Sequence, residues 1–359
     1  MDENSLQKIM DMHKSQVSEL GVEYNLYFPS DQSVIFDFCK SKSDQSYIIK
    51  ALFNNNDTYI KKSLIREISF ALFEHLGLPI SPIVAYCPFR GDNPAFILFQ
   101  DMKGGLLSKA IEKASRKETL DTDKSTYDVD DTCPDIIQNT CSLDHTNIMK
   151  IFYGLSFILC IIHQFNIVFR NLSPEYILLD ENAEPYLGGC DFTRLLEEKC
   201  RKLSAARGDP PFMSTELLLN DNVTLKADIY SLGVILSHMI SGRCTMDNVD
   251  VTRNGLEKMT RLHTKLKKTH DVPDNLSKPF ESFFETALSE ESEKRPDAFS
   301  ICQQIQNHEL ILDGCNVPQL DQYIEKLKKN VKRVKKGDFV RLYKRLQKKL
   351  LDDFVGDTD

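Results

Sequence analysis

The chain holds ten cysteines, yet no two of them form a Cys-x-x-Cys pair. Zinc ribbons and small disulfide scaffolds need closer spacing, so neither is expected. Cys39, Cys87, Cys133, Cys141, Cys160, Cys190, Cys200, Cys244, Cys302 and Cys315 are scattered, several in apolar contexts where a thiol behaves as a small hydrophobe. A reduced, cytoplasmic chain is the expectation. An apolar run of membrane length is also lacking. The apolar stretch Ile151 to Ile162, uncharged between Lys150 and His163, has twelve residues, against the ~20 that a spanning helix needs, and it reads as a buried core helix. The opening residues, Met1 to Lys8, are polar and charged, unlike a secretory signal. Nor is the chain basic as a whole: a formal charge of −8 argues against whole-molecule attraction to nucleic acid or membrane.

What is present is ordinary globular composition. Hydrophobic residues make up 41% and charged residues 27% of 359 residues, enough for two cores, or for one two-lobed domain with an appendage. From about Tyr24 to Ile49 the chain is rich in Tyr, Phe, Ile and Val, punctuated by Pro29 and polar clusters, which predicts strands and turns. Asp57 or Thr58 then caps a helix whose apolar residues Ile60, Leu64, Ile68, Ala71, Leu72 and Leu76 keep helical spacing, and Gly77 and Pro79 end it. Ala95 to Phe99 reads as a buried strand closed by Gly104-Gly105. From Leu106 onward the pattern is mostly helical: Ile148, Ile151, Phe152, Leu155, Leu159 and Ile162 mark one long helix, and Ile229, Leu232, Leu236 and Met239 another.

Two segments stand apart by charge. Between Glu118 and Asp144 there are eight acids and one base, Lys124, without sustained periodicity. That predicts a solvated surface insertion. Between Lys326 and Lys349 there are twelve bases and one acid, a net +11 that leaves −19 for the rest of the chain. Here Leu320, Tyr323, Ile324, Leu327, Val331 and Val334 predict one amphipathic helix. Gly337-Asp338 is the expected break, and Phe339, Leu342, Leu346 and Leu350 predict a second helix.

The segment Phe169-Arg170-Asn171-Leu172-Ser173-Pro174-Glu175-Tyr176-Ile177-Leu178-Leu179-Asp180 resembles the catalytic loop of eukaryotic protein kinases, whose pattern is H-R-D-L-x-x-x-N. Cys190-Asp191-Phe192-Thr193 stands where that family has D-F-G. Gly208-Asp209-Pro210-Pro211-Phe212-Met213-Ser214-Thr215-Glu216 resembles the segment that closes with A-P-E. Lys226-Ala227-Asp228-Ile229-Tyr230-Ser231-Leu232-Gly233 resembles the helix with a buried Asp under the catalytic loop, and Glu293-Lys294-Arg295-Pro296 the late Arg that pairs with the Glu of A-P-E. Tyr47-Ile48-Ile49-Lys50 is similar to the V-A-I-K strand, with Arg66-Glu67-Ile68 as the helix that carries the partner glutamate. The resemblance covers roughly Val22 to Asp313. It implies an α+β bilobal protein-kinase-like fold with a basic helical extension. Residues 1–21 form an N-terminal extension, 22–313 the kinase-like domain, with a small β-rich lobe to about 103, a large helical lobe from about 104 and the acidic insertion at 118–144, and 314–359 the basic tail.

The resemblance also assigns a parts list for ATP and magnesium. Kept are Lys50 and Glu67, the pair that holds the α/β-phosphates, and Asp191, a magnesium ligand. Around the adenine it places Ile35, Ile48, Leu178 and, in the hinge, Met102, with Phe99 at the back. Lost is the base: Asn171 stands where the family has the Asp that takes the substrate hydroxyl's proton, and an amide cannot take it at neutral pH. Tyr176 replaces the Asn that holds the second magnesium, although a phenol is a poor ligand for a hard cation. Ser173 replaces a lysine and Asp209 a threonine, so positive charge is withdrawn by the first and negative charge added by the second where the transferred phosphate needs cations. The three glycines of the phosphate loop fall on Phe28, Ser30 and Ser33, with Asp31 between them, and no glycine occurs between Val22 and Lys50. Arg170, Glu216, Asp228, Gly233 and Arg295 are expected to brace the large lobe.

The expectation is therefore a pseudokinase, a scaffold or allosteric partner of other proteins in signalling, with weakened ATP and magnesium binding. The alternative is a low-activity Ser/Thr protein kinase. The tail is expected to be a helical hairpin packed on the large lobe with its lysines solvated. Nucleic acid or anionic lipid bound through 326–349 is the alternative there.

Overall fold

Alternation along Ser46–Leu52 decides which side of the first sheet is which. In this strand Tyr47, Ile49 and Ala51 bury themselves with Ala85, Phe96 and Leu98 on one face, and Lys50 points to the other. The computed structural model describes residues 22–23, 34–41, 46–52, 58–88, 95–122, 141–196, 209–219, 222–242 and 276–355. They fall into two compact units, one bounded as Met1–Asp101 with Asn330–Asp359, the other as Met102–Lys329.

The first unit holds an antiparallel five-stranded sheet, β1 (Val22–Glu23), β2 (Val34–Ser41), β3 (Ser46–Leu52), β4 (Ile83–Cys87) and β5 (Ala95–Gln100), in the order β1-β2-β3-β5-β4. Lys50 lies opposite Phe36 on one side and Ile97 on the other. Helix α1 (Thr58–His75) follows β3, and every residue from Ser63 to Phe73 is buried. An amphipathic surface helix buries one stripe; burial all round means that α1 is covered on more than one face.

Near the end of α1, Glu74 is partly buried and its Oε2 has no hydrogen-bond partner among the described residues. Burial pushes this carboxyl up to about 7, with the backbone at Ile83 pulling the other way. The folded protein thus holds a proton that the unfolded chain has released. The resulting stability is complete below the ordinary carboxylate range and is lost as pH rises toward 7. Allowing for partial exposure, stability against urea should fall by about 2 kcal/mol between roughly pH 4.5 and pH 7.5. His75, lowered by burial and by Lys332, works in the opposite sense. Comparison with Glu74→Gln, which should lack this fall, isolates the Glu74 contribution.

The second unit opens with the short strand β6 (Gly105–Leu106) and helix α2 (Leu107–Thr122). The predicted acidic insertion is therefore shorter than 118–144. Its first residues finish α2, and at its far end Cys141 bonds the backbone of Gly104 and Asp180 while Asp144 caps the next helix. Helix α3 (His145–Gln164) has fifteen of its twenty residues buried. Contrary to the expectation that no apolar run reaches membrane length, it alone among the described helices is long and apolar enough to cross a membrane, and its burial marks it as the core helix that was expected. Strand β7 (Ile167–Val168) leads into the loop that carries Asn171. Strands β8 (Ile177–Leu179) and β9 (Pro185–Leu187) form a hairpin beside β6, and β10 (Arg194–Leu195) pairs with β7. Helices α4 (Thr215–Leu219), α5 (Lys226–Ser241), α6 (Lys278–Ala287), α7 (Ala298–Gln306) and α8 (Val317–Asn330) follow among the described residues. On α8, Tyr323 meets Tyr153 edge-on at 6.4 Å and Lys326 pairs with Glu184 at 2.5 Å.

The tail departs from expectation. Its first helix stops at Asn330, not Val334, and the second, α9 (Lys336–Val355), begins before Gly337-Asp338 instead of after it. Tertiary bonding sets the break. The Lys332 amide donates to the Leu76 carbonyl at 2.8 Å, and a Cβ on Gly77 (φ +88°) would run into the Asn330 carbonyl. Asp338 then lies in the first turn of α9, where its charge favours the helix N-terminus. Nor is the tail one hairpin on the large unit. α8 belongs there, but α9 belongs to the first unit, packed on α1.

Candidate active site

Each unit carries its own share of the predicted site. In the first unit, Lys50 and Glu67 are both about 3% exposed and form a direct ion pair, β3 against the middle of α1. A buried ammonium is tolerated only with its charge met, and Glu67 meets it. Ile48 is half-buried opposite Phe99, and Ile35 lies opposite Ala51 in β2. The phosphate-loop positions Phe28, Ser30, Asp31 and Ser33 lie outside the described residues, as do 1–21 and 123–140.

In the second unit the catalytic-loop segment is held by Asp228 on α5. Its carboxylate accepts from the Phe169 and Arg170 amides at 2.8 Å each, and His163 Nε2 at the end of α3 stands 2.9 Å from it. Arg170 takes φ +73° and its guanidinium donates to the Phe192 carbonyl at 3.4 Å. Arg295 grips Glu216 with two parallel bonds of 2.5 and 3.0 Å and lies over the Tyr230 ring at 5.3 Å. The expected braces Arg170, Glu216, Asp228 and Arg295 are thus joined by named contacts.

The positions to which the resemblance assigns the reaction are held in structural contacts. Asn171 is 2% exposed and its amide donates to the Gly189 carbonyl at 3.3 Å. The Ser173 hydroxyl donates to Asp209 Oδ2 at 2.9 Å. Burial pushes the Asp209 carboxyl up from its ordinary value, with the Ser173 bond pulling it back. Tyr176 packs on Gly189, where a Cβ would stand 2.6 Å from the Tyr176 ring; Gly189 sits at φ +69°, so glycine is required twice over. Leu178 is buried in β8 between Leu106 and Tyr186, and Met102 is buried where the unit begins. Asp191 follows Gly189 in a single helical turn that ends at Phe192.

Magnesium fits this set only in part. Among the described residues no three of His, Cys, Asp and Glu converge to hold a metal ion. Asp191 supplies one hard carboxylate, which suits an ion held mainly by phosphate oxygens and water. At the position where the resemblance expects a second ligand stands Tyr176, whose ring packs on Gly189. For the nucleotide, the Lys50 ammonium is the fitting group for the α/β-phosphates.

Two contributors were not assigned from sequence, one without a signal and one visible only as residue type. His163 reads only as the last turn of a helix, and its bond to Asp228 needs the fold. Thr193, at the third position of D-F-G, is visible as a non-glycine, and the structure shows what it does: its hydroxyl donates to the Cys190 carbonyl at 2.7 Å, closing the turn that carries Asp191.

The family model for the protein kinase domain matches residues 31–311. The chain belongs to the protein kinase family. Curated relatives of this kinase-family chain include the serine/threonine-protein kinase gad8 of Schizosaccharomyces pombe, 30% identical over 41% of this chain and 24% of that protein. The serine/threonine-protein kinase RUNKEL of Arabidopsis thaliana is 28% identical over 46% of this chain and 12% of its own length. The human rhodopsin kinase GRK1 is 28% identical over 42% and 27%. The chain therefore spans about a quarter or less of the length of these kinases.

Proposed function

We propose that this kinase-family chain has given up phosphoryl transfer and works as a scaffold or allosteric partner of other signalling proteins in the cytoplasm, with a weakened ATP and magnesium site. The observation that carries this reading is Asn171. At the base position stands a buried amide whose N–H is committed to the Gly189 carbonyl, a group with no capacity to accept the hydroxyl proton. Ser173, Tyr176 and Asp209 point the same way: the first removes a positive charge, the second a metal ligand, and the third adds a negative charge where the transferring phosphate would need cations.

A second reading is a slow Ser/Thr kinase. The closed Lys50–Glu67 pair and the retained Asp191 favour it, because positioning alone supplies considerable rate, and the relatives above are named kinases. Purified protein incubated with labelled ATP and magnesium separates the two. The first reading expects no transfer to itself or to a general Ser/Thr substrate above an Asp191→Ala control; transfer above that control would sink it. A thermal-shift series with ATP, with and without magnesium, tests the weakened site. A small shift that magnesium scarcely enlarges is expected, and loss of that shift in Lys50→Ala would place the nucleotide at Lys50.

A further inference from the structure

We propose that α9 is an intramolecular brace for α1, holding that helix at the rotation in which Glu67 meets Lys50. The proposal concerns the same site as the function above, but it stands whether or not phosphate is transferred.

From Ser63 to Phe73 no side chain of α1 is exposed, so the sheet alone cannot be its cover. The additional cover is α9. Phe73 lies 4.6 Å from Phe339 and 6.5 Å from Tyr343, Phe70 lies 4.7 Å from Phe73, and Phe339 stacks on Tyr343 at 6.1 Å. Leu342, Leu346 and Leu350 continue the same buried stripe of α9 at helical spacing. The backbone is tied as well, by the Lys332 amide on the Leu76 carbonyl and the close passage of Asn330 over Gly77.

Geometry separates the braced face from the working face. Phe73 is six residues beyond Glu67, about 240° round the helix, so α9 covers α1 without competing for Glu67. Any roll of α1 that withdraws Glu67 from Lys50 must also pull Phe70 and Phe73 out of the aromatic cluster and expose them. Glu67 cannot leave cheaply either, since a buried Lys50 would lose its counter-charge. The two restraints support each other, and the ion pair is closed by a contact within the chain itself.

The test uses the full chain. Phe339→Ala with Tyr343→Ala removes the cluster. Leu98→Ala, a truncation on the sheet face opposite Lys50, serves as a control for general loss of stability. Two readouts are followed under native conditions: amide hydrogen exchange of 63–75, and acetylation of the Lys50 amine measured by mass spectrometry. The brace predicts that both speed up about ten-fold or more in the double variant, while α3 in the other unit is unchanged. In Leu98→Ala they should rise no more than β3 and β5 do. Exchange and acetylation at wild-type rates in a folded double variant would overturn the proposal, as would an equal rise in Leu98→Ala. Should the double variant fail to fold, Phe339→Leu decides: a smaller rise confined to 63–75 and Lys50 supports the brace, and none overturns it. Neither readout depends on transfer, so discovery of kinase activity would leave this result standing.

Discussion

Replacing Asp228 by alanine will destabilise the protein by about 3–5 kcal/mol, a large share of the 5–15 kcal/mol that holds a typical domain together. Asp228 is fully buried, and its two oxygens take three donors: the Phe169 amide, the Arg170 amide and His163 Nε2. Alanine leaves two buried N–H groups without an acceptor, each at a cost of roughly 1–3 kcal/mol. It also frees Arg170 from the constraint that keeps it at φ +73°, a conformation few non-glycine residues hold unaided. The urea midpoint should drop sharply with little change in slope. Asp228→Asn, which keeps one acceptor oxygen, should lose about half as much. A variant as stable as wild type would mean that the loop does not depend on this carboxylate.

The second large effect runs against intuition. Asn171→Asp restores the residue that active kinases carry, yet it should raise transfer by less than about ten-fold, well short of the 10²–10⁴ typical of a general base. It should also cost about 1–3 kcal/mol. At present the Asn171 amide donates to the Gly189 carbonyl. A carboxylate there would set two acceptors against each other in a site only 2% exposed. Tyr176 would still pack on Gly189, and Ser173 would still bond Asp209. A lower melting temperature without gained activity is the expected pair of results. Strong transfer from the single reversion would show that the base alone had been missing.

Much of this was legible in the sequence because it rests on local signals. Helix α3 follows from its apolar period, and the order of motifs from Lys50 to Arg295 delivers the fold. The departure from the family pattern at Asn171, Ser173 and Tyr176 is visible as residue type, but the contacts that occupy those side chains are not. What sequence could not supply was long-range. An amphipathic stripe of Phe339, Leu342, Leu346 and Leu350 says that one face is buried, not against what, and nothing in it distinguishes the small unit from the large. The helix break was misplaced for the same reason: Gly337-Asp338 has the composition of a break, but the contacts of Asn330 and Lys332 with the end of α1 put it earlier. His163 was silent because a lone histidine at a helix end does not announce a carboxylate 65 positions later in the chain.

The packing of Phe73 on Phe339 has a consequence for how the protein is made. Synthesis runs in one direction, and about 270 residues separate the two rings, so α1 emerges long before its cover. At roughly 5–20 residues per second the nascent small unit waits many seconds with an apolar helix face open to chaperones and to other chains. The large unit, bounded by Met102 and Lys329, is complete before α9 leaves the ribosome. A message cut short after α8 would therefore yield a finished large unit attached to an unfinished small one, a species marked for capture by the quality-control machinery.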